Sequence, residues 1–535
     1  MTINKQNVVI VGAGMAGLTA AAYLARNDVR VLLLDKNDRS GGLVHTFDYD
    51  GFAFDAGPRA FVNSGMVKPM LKDLGIAGDF VDNTLSIGIE DQLIRVESMD
   101  SLAGYERILK TLYPQHHSEI EAITAAIAKL SGYTEVLYEF DNPNFTNVMS
   151  DVRLIVRKLI PWTVKFLIAL RKMNRFNMPM EAFLEGITDN QSLIDIVTQF
   201  FFRGTPTYFA LGYFYVYLDY FYPRGGTGAL ADLLREKALS SGVDMKLNTQ
   251  ITEVTPSKGL VTDAEGTSYA YDHLIWAADL KTLYRSVNAA GLDATTAQRI
   301  QAEARRILAA RGAESVFILF MAVDRPPSYF RARGGEHLFY TPSREGLGAT
   351  NRRRRQRLIE DFDAKSWAEV ADWLEDFCRL NTYEVSIPAL RDPDLAPEGQ
   401  TGVMISFLFD YEIAESIQQA GWYEGFKQLL EDHVTTLFSR TLYRGIDADI
   451  LFTFSSTPLT IHEVSGSSEG AITGWSFETE VPVINTLKAI PNSVLTPIPG
   501  VLQAGQWAYS PSGVPIAMLT GWYATQEIAK RSKRG

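Results

Sequence analysis

A glycine-rich turn between a predicted buried strand and a predicted helix constrains the fold of this chain most. Residues 8–11 form a continuous apolar run, which predicts a strand buried on both faces. The turn that follows has the spacing G-x-G-x-x-G and consists of Gly12, Ala13, Gly14, Met15, Ala16 and Gly17. Residues 15–26 have the character of a helix, and residues 29–34 predict a second buried strand that ends at Asp35. This order predicts a βαβ unit.

The residue types in the turn indicate that the unit binds a dinucleotide. Gly12 permits the tight turn, Gly14 lets the backbone approach a diphosphate, and Gly17 lets helix and strand pack closely. The helix N-terminus directs unpaired N–H groups and a partial positive charge at that diphosphate. Asp35, 18 residues after Gly17, is placed to accept hydrogen bonds from both ribose hydroxyls and to repel the 2′-phosphate of NADP. The alternative is a glycine-rich turn without a ligand.

Length, charge and cysteine content limit the other possibilities. A chain of 535 residues exceeds the size of one usual hydrophobic core, so we expect two domains. The net charge, 51 − 63 = −12, argues against a general affinity for nucleic acid. The single cysteine, Cys378, fits a reducing compartment. A short polar start and the lack of a long apolar run predict no signal peptide and no membrane span. We therefore expect a cytoplasmic protein, in solution or at the inner face of a membrane.

Two further motifs resemble a known superfamily. A glycine doublet, Gly41-Gly42, follows Asp35 by six residues and permits a second close approach of the backbone to the same ligand. The segment Gly51-Phe-Ala-Phe-Asp55-Ala-Gly57-Pro58 alternates apolar residues and ends in a turn. Together with the triplet and the acid, these motifs resemble the FAD-dependent superfamily of phytoene desaturases, carotenoid isomerases, retinol saturase and flavin amine oxidases.

The resemblance continues along the whole chain. It returns at Tyr222-Pro-Arg-Gly-Gly226, Asn248-Thr-Gln-Ile251, Trp276-Ala-Ala-Asp279, Val501-Leu-Gln-Ala-Gly505-Gln506 and Ser512-Gly-Val-Pro515. It implies that FAD is the cofactor. It also implies that FAD is bound by Gly12, Ala13, Gly14, Met15, Ala16, Gly17, Asp35, Lys36, Gly41, Gly42, Leu43, Gly57, Pro58, Arg59, Ile251, Ala278, Gly505, Gln506, Gly513, Val514 and Pro515.

Two departures from the superfamily pattern favour one branch of it. Leu43 stands where the superfamily often has Arg, and Gln506 stands where Asp is common. Gln506 can still donate and accept hydrogen bonds, although it carries no charge. The missing Arg weakens the comparison with amine oxidases and favours the desaturase and saturase branch. A second nucleotide-binding unit is not apparent, so the electron donor or acceptor stays open.

The sequence does not identify catalytic residues or a metal site. His116-His117 has no Cys or carboxylate at ligand spacing, and His462-Glu463 is more typical of a surface or core pair than of a site. No Gly-x-Ser-x-Gly turn is present. The chemistry is therefore expected to come from the flavin, with the protein positioning the substrate.

An aromatic segment and a basic segment lie outside the nucleotide motifs. Phe200-Phe-Phe202 and residues 208–222 contribute twelve aromatic side chains, which predict either a packed helix pair or an apolar slot for a long, flat substrate. Residues 152–180 carry seven basic residues and no acid. Apolar residues and Trp162 lie between them, so we predict either a helix in a membrane interface or a surface helix with a solvated basic face.

The combined prediction is an α/β fold. A Rossmann-type FAD-binding domain is built from three segments (residues 1–90, 223–312 and 466–535), with an inserted mixed α+β substrate domain (residues 91–222 and 313–465). The predicted function is an oxidoreductase acting on carbon–carbon bonds of a hydrophobic polyene or isoprenoid lipid, as a desaturase, saturase or isomerase. The alternatives are a flavin amine oxidase and a non-enzymatic prenyl-binding escort protein. The intact nucleotide motifs argue against the escort protein.

Overall fold

The computed structural model describes residues 7–27, 29–146, 153 and 155–533. Its strands are β1 (Asn7–Val11), β2 (Arg30–Leu34), β3 (Thr46–Tyr49), β4 (Phe52–Asp55), β5 (Phe61–Val62), β6 (Phe80–Asp82), β7 (Leu85–Ile89), β8 (Gln92–Val96), β9 (Tyr220–Pro223), β10 (Asp244–Lys246), β11 (Ile251–Thr255), β12 (Leu260–Asp263), β13 (Ser268–Ala270), β14 (His273–Trp276), β15 (Ser315–Val323), β16 (His337–Thr341), β17 (Tyr383–Ser386), β18 (Thr401–Phe409), β19 (Ile450–Ser456) and β20 (Val501–Gln503).

Helices cover both large sheets of the fold. They are α1 (Met15–Ala25), α2 (Val67–Asp73), α3 (Ser101–Leu112), α4 (His117–Tyr138), α5 (Ile160–Met173), α6 (Met180–Glu185), α7 (Gln191–Thr198), α8 (Thr207–Val216), α9 (Gly228–Ser240), α10 (Leu280–Ser286), α11 (Ala294–Ala309), α12 (Pro327–Arg331), α13 (Gly348–Glu360), α14 (Trp367–Leu380), α15 (Tyr411–Gln419), α16 (Tyr423–Arg440), α17 (Pro458–Ser465) and α18 (Val514–Ser532). None of the described helices is both long and apolar enough to cross a bilayer.

The nucleotide-binding sheet is parallel and has the strand order β10-β2-β1-β14-β20. Its central strand β1 is buried because β2 and β14 flank it. Helix α1, which follows β1, packs against α9 and α18. The strands come from three separate stretches of the chain, with β1 and β2 first, β10 and β14 next, and β20 last. This arrangement confirms the predicted α/β fold with a Rossmann-type domain built from three segments.

The second large sheet is mixed and has the order β19-β15-β18-β17-β16-β7-β8. β15 pairs antiparallel with both β18 and β19, whereas β16 pairs parallel with β7. Leu85–Ile89 therefore belongs to this sheet, although it lies within residues 1–90. The sheet thus takes strands from the first predicted segment as well as from residues 313–465, and the domain boundaries stay a prediction.

Two predicted elements differ in their bounds. The sequence pattern predicts the last helix over residues 518–530, after a Gly/Pro-rich turn. The helix begins at Val514 instead, because Pro515 lies in the first turn, where its missing N–H is not needed. Residues 245–254 have the pattern of one strand, but they contribute to two strands, β10 and β11. Asn248 lies between them with a φ of 52°, a left-handed conformation that ends the first strand.

Candidate active site

The glycine triplet lies where three pieces of backbone meet. Gly12 has a φ of 103°, and a Cβ atom there would lie 2.7 Å from the carbonyl oxygen of Ala277. A Cβ atom on Gly17 would lie 1.9 Å from the carbonyl oxygen of Gly12. Gly14 differs, since the nearest atoms that its Cβ would meet are 3.9 Å away. Gly12 and Gly17 thus allow close packing, while Gly14 leaves room for a ligand.

The glycine doublet borders the same space. The Gly41 N–H donates a hydrogen bond to the carbonyl oxygen of Ala13 (2.8 Å), and Gly14 forms an isolated bridge with Gly41. A Cβ atom on Gly42 would lie 3.3 Å from the Gly14 Cα. Among the described residues, no side chain caps the N-terminus of α1. Its first N–H groups are therefore suited to a diphosphate.

Asp35 is held by backbone at the end of β2. Its Oδ2 accepts a hydrogen bond from the Ala13 N–H (2.7 Å), and its Oδ1 accepts one from the Asn37 N–H (2.9 Å). Burial raises the pKa of Asp35, and these two hydrogen bonds oppose that shift. Each oxygen keeps a further lone pair, so the carboxylate can accept hydrogen bonds from ribose hydroxyls. The Thr249 N–H donates to the Asp35 carbonyl (2.7 Å), two residues before Ile251 begins β11.

We expect Asp35→Ala to weaken FAD binding without unfolding the protein. Hydrogen bonds to a charged group contribute about 1–3 kcal/mol, which corresponds to an increase of roughly 5- to 150-fold in the dissociation constant. Titration of the apoprotein with FAD, followed by flavin fluorescence, measures this change. Asp48→Ala, at an exposed position on β3, is the matched control and should leave the constant unchanged. Equal constants for the two variants would contradict a role for Asp35 in binding the ribose.

Asp55 joins two of the motifs. Its Oδ2 accepts a hydrogen bond from the Tyr222 hydroxyl (2.6 Å). Its Oδ1 accepts from the Thr46 hydroxyl (2.8 Å) and from the N–H and hydroxyl of Thr227 (2.8 and 2.9 Å). Asp55 is fully buried. The Asp-x-Gly-Pro turn and the Tyr-Pro-x-Gly-Gly segment, 167 residues apart at Asp55 and Tyr222, therefore form one unit.

The residues that follow Asp55 complete this edge of the site. A Cβ atom on Gly57 would lie 1.8 Å from the carbonyl oxygen of Leu43, so only glycine fits here. Pro58 follows it, and the buried Arg59 donates hydrogen bonds from Nη1 to the carbonyls of Asp55 (2.6 Å) and Gly57 (3.2 Å). Lys36 lies apart from these residues, where its Nζ donates to the carbonyl of Glu463 (3.1 Å).

The C-terminal motif reaches the glycine triplet. The N–H of Gly505 donates to the Thr520 hydroxyl (2.9 Å), and a Cβ atom on Gly505 would lie 3.5 Å from the Ala16 Cβ. Gly513 precedes α18, which begins with Val514 and Pro515 and packs against α1. A Cβ atom on Gly12 would lie 3.1 Å from the Ala278 nitrogen, so the end of β14 also borders the turn. The structure thus gathers motifs from all three segments at the carboxyl ends of the parallel strands, where such sheets bind ligands.

Gln506 points toward the preceding segment. Its Nε2 lies 3.5 Å from the Ser467 hydroxyl and 3.4 Å from the Ala471 carbonyl. These contacts hold the amide partly buried beside the C-terminal turn. An uncharged side chain at this position is compatible with a flavin that is held mainly by backbone groups.

A buried polar cluster on the second sheet was missed by sequence reasoning. His337 on β16 and Glu384 on β17 lie 2.9 Å apart between Nε2 and Oε1. Asn83 and Arg391 continue the cluster toward the backbone of Arg59. Its members come from separate segments and have no fixed spacing, so only the pairing of β16, β17 and β7 brings them together. The one sequence signal was the adjacency of Arg59 to the Gly-Pro turn.

The aromatic segment packs beside this cluster. Tyr213 on α8 contacts Tyr217 (5.3 Å between ring centroids) and Phe201 (5.9 Å). The Tyr220 ring stacks on the His337 ring at 5.7 Å, with 13° between their planes. Burial raises the pKa of Tyr213 to about 12, so this phenol stays neutral at physiological pH. Aromatic rings therefore adjoin the polar cluster.

The glycine turns, the buried acid and the Gly513-Val-Pro515 start of α18 define a dinucleotide-binding oxidoreductase of the Rossmann type. The chain belongs to the flavin-containing amine oxidoreductase family, whose model matches residues 15–529. It is an FAD-dependent oxidoreductase, which confirms the predicted cofactor and enzyme class. This identification favours an enzyme over a non-enzymatic escort protein.

Similar proteins include carotenoid enzymes. A phytoene desaturase of Fusarium fujikuroi is 22% identical over 586 residues, which cover 99% of this chain and 90% of that protein. A 4,4'-diapophytoene desaturase of Staphylococcus aureus is 21% identical and covers 99% of both chains. A 4,4'-diapolycopene oxygenase of a Methylomonas species is 23% identical over 48% of this chain and 52% of its own.

Solved structures share the fold at lower identity. An oxidoreductase of Methanosarcina mazei has a TM-score of 0.60 and 12% identity over 97% of this chain and all of its own. A putrescine oxidase variant has a TM-score of 0.59 and 13% identity over 98% of this chain and 99% of its own. At these identities the likeness establishes the fold alone.

Proposed function

We propose that this oxidoreductase changes carbon–carbon bonds of a hydrophobic polyene or isoprenoid lipid, by desaturation, saturation or isomerisation. The observation that carries the proposal is the aromatic wall formed by Phe201, Tyr213, Tyr217 and Tyr220, which meets the polar cluster where the Tyr220 ring stacks on His337. Aromatic faces fill space rigidly and need no polar partner, so they suit a long conjugated chain. The carotenoid desaturases among its relatives support the same substrate class.

The chain's own residues would position the substrate and exclude water. Bound FAD supplies two-electron redox chemistry at its ring. The aromatic residues would hold one bond of the substrate about 3–3.5 Å from that ring, the separation that hydride transfer requires. The buried guanidinium of Arg59 fixes the carbonyls of Asp55 and Gly57 at the edge of this space.

Amine oxidation is the second candidate, because Glu384 provides a carboxylate beside the aromatic wall. A carboxylate can bind an ammonium group, and aromatic rings can surround one. However, His337 occupies one oxygen of Glu384. In addition, Leu43, which follows the glycine doublet, stands where amine oxidases regularly have Arg. The lipid reaction is therefore the better supported of the two.

Comparison of lipids in an expression host tests the proposal. Cells that produce the wild-type chain should contain a polyene or isoprenoid whose mass or absorption spectrum differs from that in cells without the gene. Gly14→Ala is the control, since its Cβ would project into the ligand space without disturbing the packing. Identical lipid profiles in all three strains, each supplied with isoprenoid precursors, would contradict the proposal.

We also propose that the helical segment of residues 155–173, which consists of α5 and the turn before it, docks on an anionic membrane surface. Val156, Ile160, Val164, Leu167 and Ile168 follow each other at helical spacing, and each is 50–58% exposed. The opposite face packs on α4, where the Trp162 indole donates to the Val136 carbonyl (2.9 Å). Val152 and Leu154, at the start of the predicted stretch, lie outside the described residues.

Basic residues accompany this apolar face. Arg157, Lys158 and Lys165 are exposed, and residues 155–180 contain no acid. Such a combination is typical of a helix that lies in a bilayer interface. In a chain of net charge −12, it also concentrates positive charge at one surface. Docking there would bring the aromatic site close to a lipid substrate.

Leu167→Glu should reduce sedimentation with anionic liposomes. The change removes a leucine from the bilayer interface, where its burial contributes about 1.5–3 kcal/mol, so binding should fall by at least tenfold. Leu239→Glu, at a position that is 43% exposed on α9, is the matched control and should bind like the wild type. Arg157→Gln with Lys158→Gln should weaken binding by about 1 kcal/mol for each charge removed. Wild-type protein that ignores liposomes at low salt would rule out docking.

A further inference from the structure

We propose that Glu384 is a catalytic carboxylate that faces the substrate and accepts the proton released when a carbon–carbon bond is desaturated. This inference rests on the proposed function and assigns a role that the sequence left open. It follows from the orientation of four side chains, which is fixed by which of their atoms donate and which accept hydrogen bonds. These are Arg391, Asn83, His337 and Glu384.

Arg391 fixes the orientation of Asn83. A guanidinium group only donates hydrogen bonds, and the Arg391 Nη1 lies 2.7 Å from the Asn83 Oδ1. The Asn83 oxygen therefore faces Arg391, and its amide nitrogen faces the His337 Nδ1 at 3.0 Å. Arg391 is itself held by the Arg59 carbonyl (2.6 Å) and stacks over the Tyr222 ring at 3.8 Å. The start of this chain of contacts is thus anchored at the Gly-Pro turn.

The orientation of Asn83 determines the tautomer of His337. Because the amide N–H of Asn83 donates, the His337 Nδ1 must accept and carries no proton. The remaining proton is on Nε2, which donates to the Glu384 Oε1 at 2.9 Å. A second proton on Nδ1 would face the Asn83 amide, so the network keeps His337 neutral. Burial and the charges of Arg391 and Arg59 lower the pKa of His337, which also favours the neutral ring. They outweigh the hydrogen bond to Glu384, which raises the pKa.

Glu384 has one oxygen left for a ligand. Its Oε1 is taken by His337, and Oε2 accepts no hydrogen bond within the described part of the chain. Although protein groups crowd around Glu384, 32% of its side-chain surface is accessible, so the free oxygen can contact a ligand. Burial raises the pKa of Glu384, but the hydrogen bond from His337 and the charges of Arg59 and Arg391 outweigh it and hold the pKa below its ordinary value. The carboxylate is therefore ionised and oriented.

An ionised carboxylate next to aromatic walls suits the desaturation chemistry. Two C–H bonds of neighbouring substrate carbons break. From one of them, the hydrogen would pass to oxidised FAD together with the electron pair of its C–H bond, and positive charge would develop on that carbon. The other gives its proton to the Glu384 Oε2, and its electron pair forms the new C=C bond. In a site without water, the negative charge of Glu384 also stabilises the developing cation.

Binding of a cation and its neutral isostere tests this role without turnover. Dodecyltrimethylammonium carries a fixed charge and no N–H, and a dodecyl chain ending in a tert-butyl group has the same shape without charge. We expect the FAD-loaded wild type to bind the cation at least tenfold more tightly, at concentrations below micelle formation. Glu384→Gln should remove this preference and leave binding of the neutral compound unchanged, because glutamine can still accept the His337 hydrogen bond.

A matched variant and a kinetic measurement complete the test. Glu336→Gln removes a carboxylate beside His337 that pairs instead with Arg95 (3.5 Å), and it should keep the preference for the cation. With a lipid substrate, Glu384→Gln should lower kcat by about 10²- to 10⁴-fold with little change in KM. An unchanged cation preference and an unchanged kcat in Glu384→Gln would overturn the inference while the lipid reaction stands. Failure of the wild type to bind any neutral long-chain compound would overturn the proposed function, and this role with it.

Discussion

Gly17→Ala should abolish FAD binding and destabilise the fold. The added Cβ would lie 1.9 Å from the carbonyl oxygen of Gly12, a distance that no pair of nonbonded atoms tolerates. α1 cannot move away easily, because a Cβ on Gly521 of α18 would already lie 2.4 Å from the Ala16 carbonyl. Overpacking of this kind costs about 1–3 kcal/mol or more, and any relief displaces the turn that borders the ligand space. Thermal unfolding and the flavin content of purified protein measure both effects.

Substitutions at two other glycines distinguish a loss of stability from a loss of cofactor binding. Gly14→Ala should keep the melting temperature of the apoprotein but lower the flavin content strongly, since its Cβ meets protein atoms only at 3.9 Å and lies beside the doublet. Gly132→Ala, in α4, has no described atom within 4 Å of the new Cβ and should change neither quantity. A Gly17→Ala protein with normal flavin content and melting temperature would refute the packing described for the triplet.

Asp55→Ala should destabilise the protein more than any other change to a single polar side chain in the site. The substitution leaves the Tyr222 hydroxyl, the Thr46 hydroxyl and two donors of Thr227 without their acceptor in a fully buried position. Each unsatisfied buried group costs about 1–3 kcal/mol, so we expect a loss of at least about 3–5 kcal/mol. Such a loss is a large fraction of the stability of most domains.

A graded series makes this prediction specific. Tyr222→Phe removes one donor together with its hydrogen bond and should cost only about 1–2 kcal/mol. Asp55→Asn keeps the volume and one acceptor oxygen, so it should fall between the two. Denaturant unfolding of the three variants gives the order. Equal stability of Asp55→Ala and Tyr222→Phe would contradict the view that Asp55 joins the two motifs.

The nucleotide-binding part of the fold was predictable because its signals are local. A buried strand, a glycine triplet, a helix and an acid occupy one short stretch of sequence, and each has one physical role. The parallel sheet and the FAD cofactor followed from this stretch and from the superfamily resemblance. The sequence pattern predicts the start of α18 four residues late, because Pro515 is typical of a turn but is also compatible with the first turn of a helix.

The second sheet and its polar cluster could not be predicted in the same way. β7 pairs with β16, about 250 residues further along the chain, and no local pattern encodes that pairing. His337 was indistinguishable from any buried histidine until Asn83, Glu384 and Arg391 were placed around it. In the basic segment, the sequence pattern places Trp162 with the apolar residues of a membrane interface. Its indole instead donates to the Val136 carbonyl and packs on Phe140.

The flavin spectrum under anaerobic conditions tests the central claim most directly. Polyene or isoprenoid lipids, added in detergent or liposomes to the FAD-loaded enzyme, should change the absorbance of the oxidised or the reduced flavin, because their chains would lie against its ring. Simple monoamines and polyamines should leave both spectra unchanged. Rapid bleaching of the oxidised flavin by an amine, with no response to any lipid, would contradict the account and establish amine oxidation in its place.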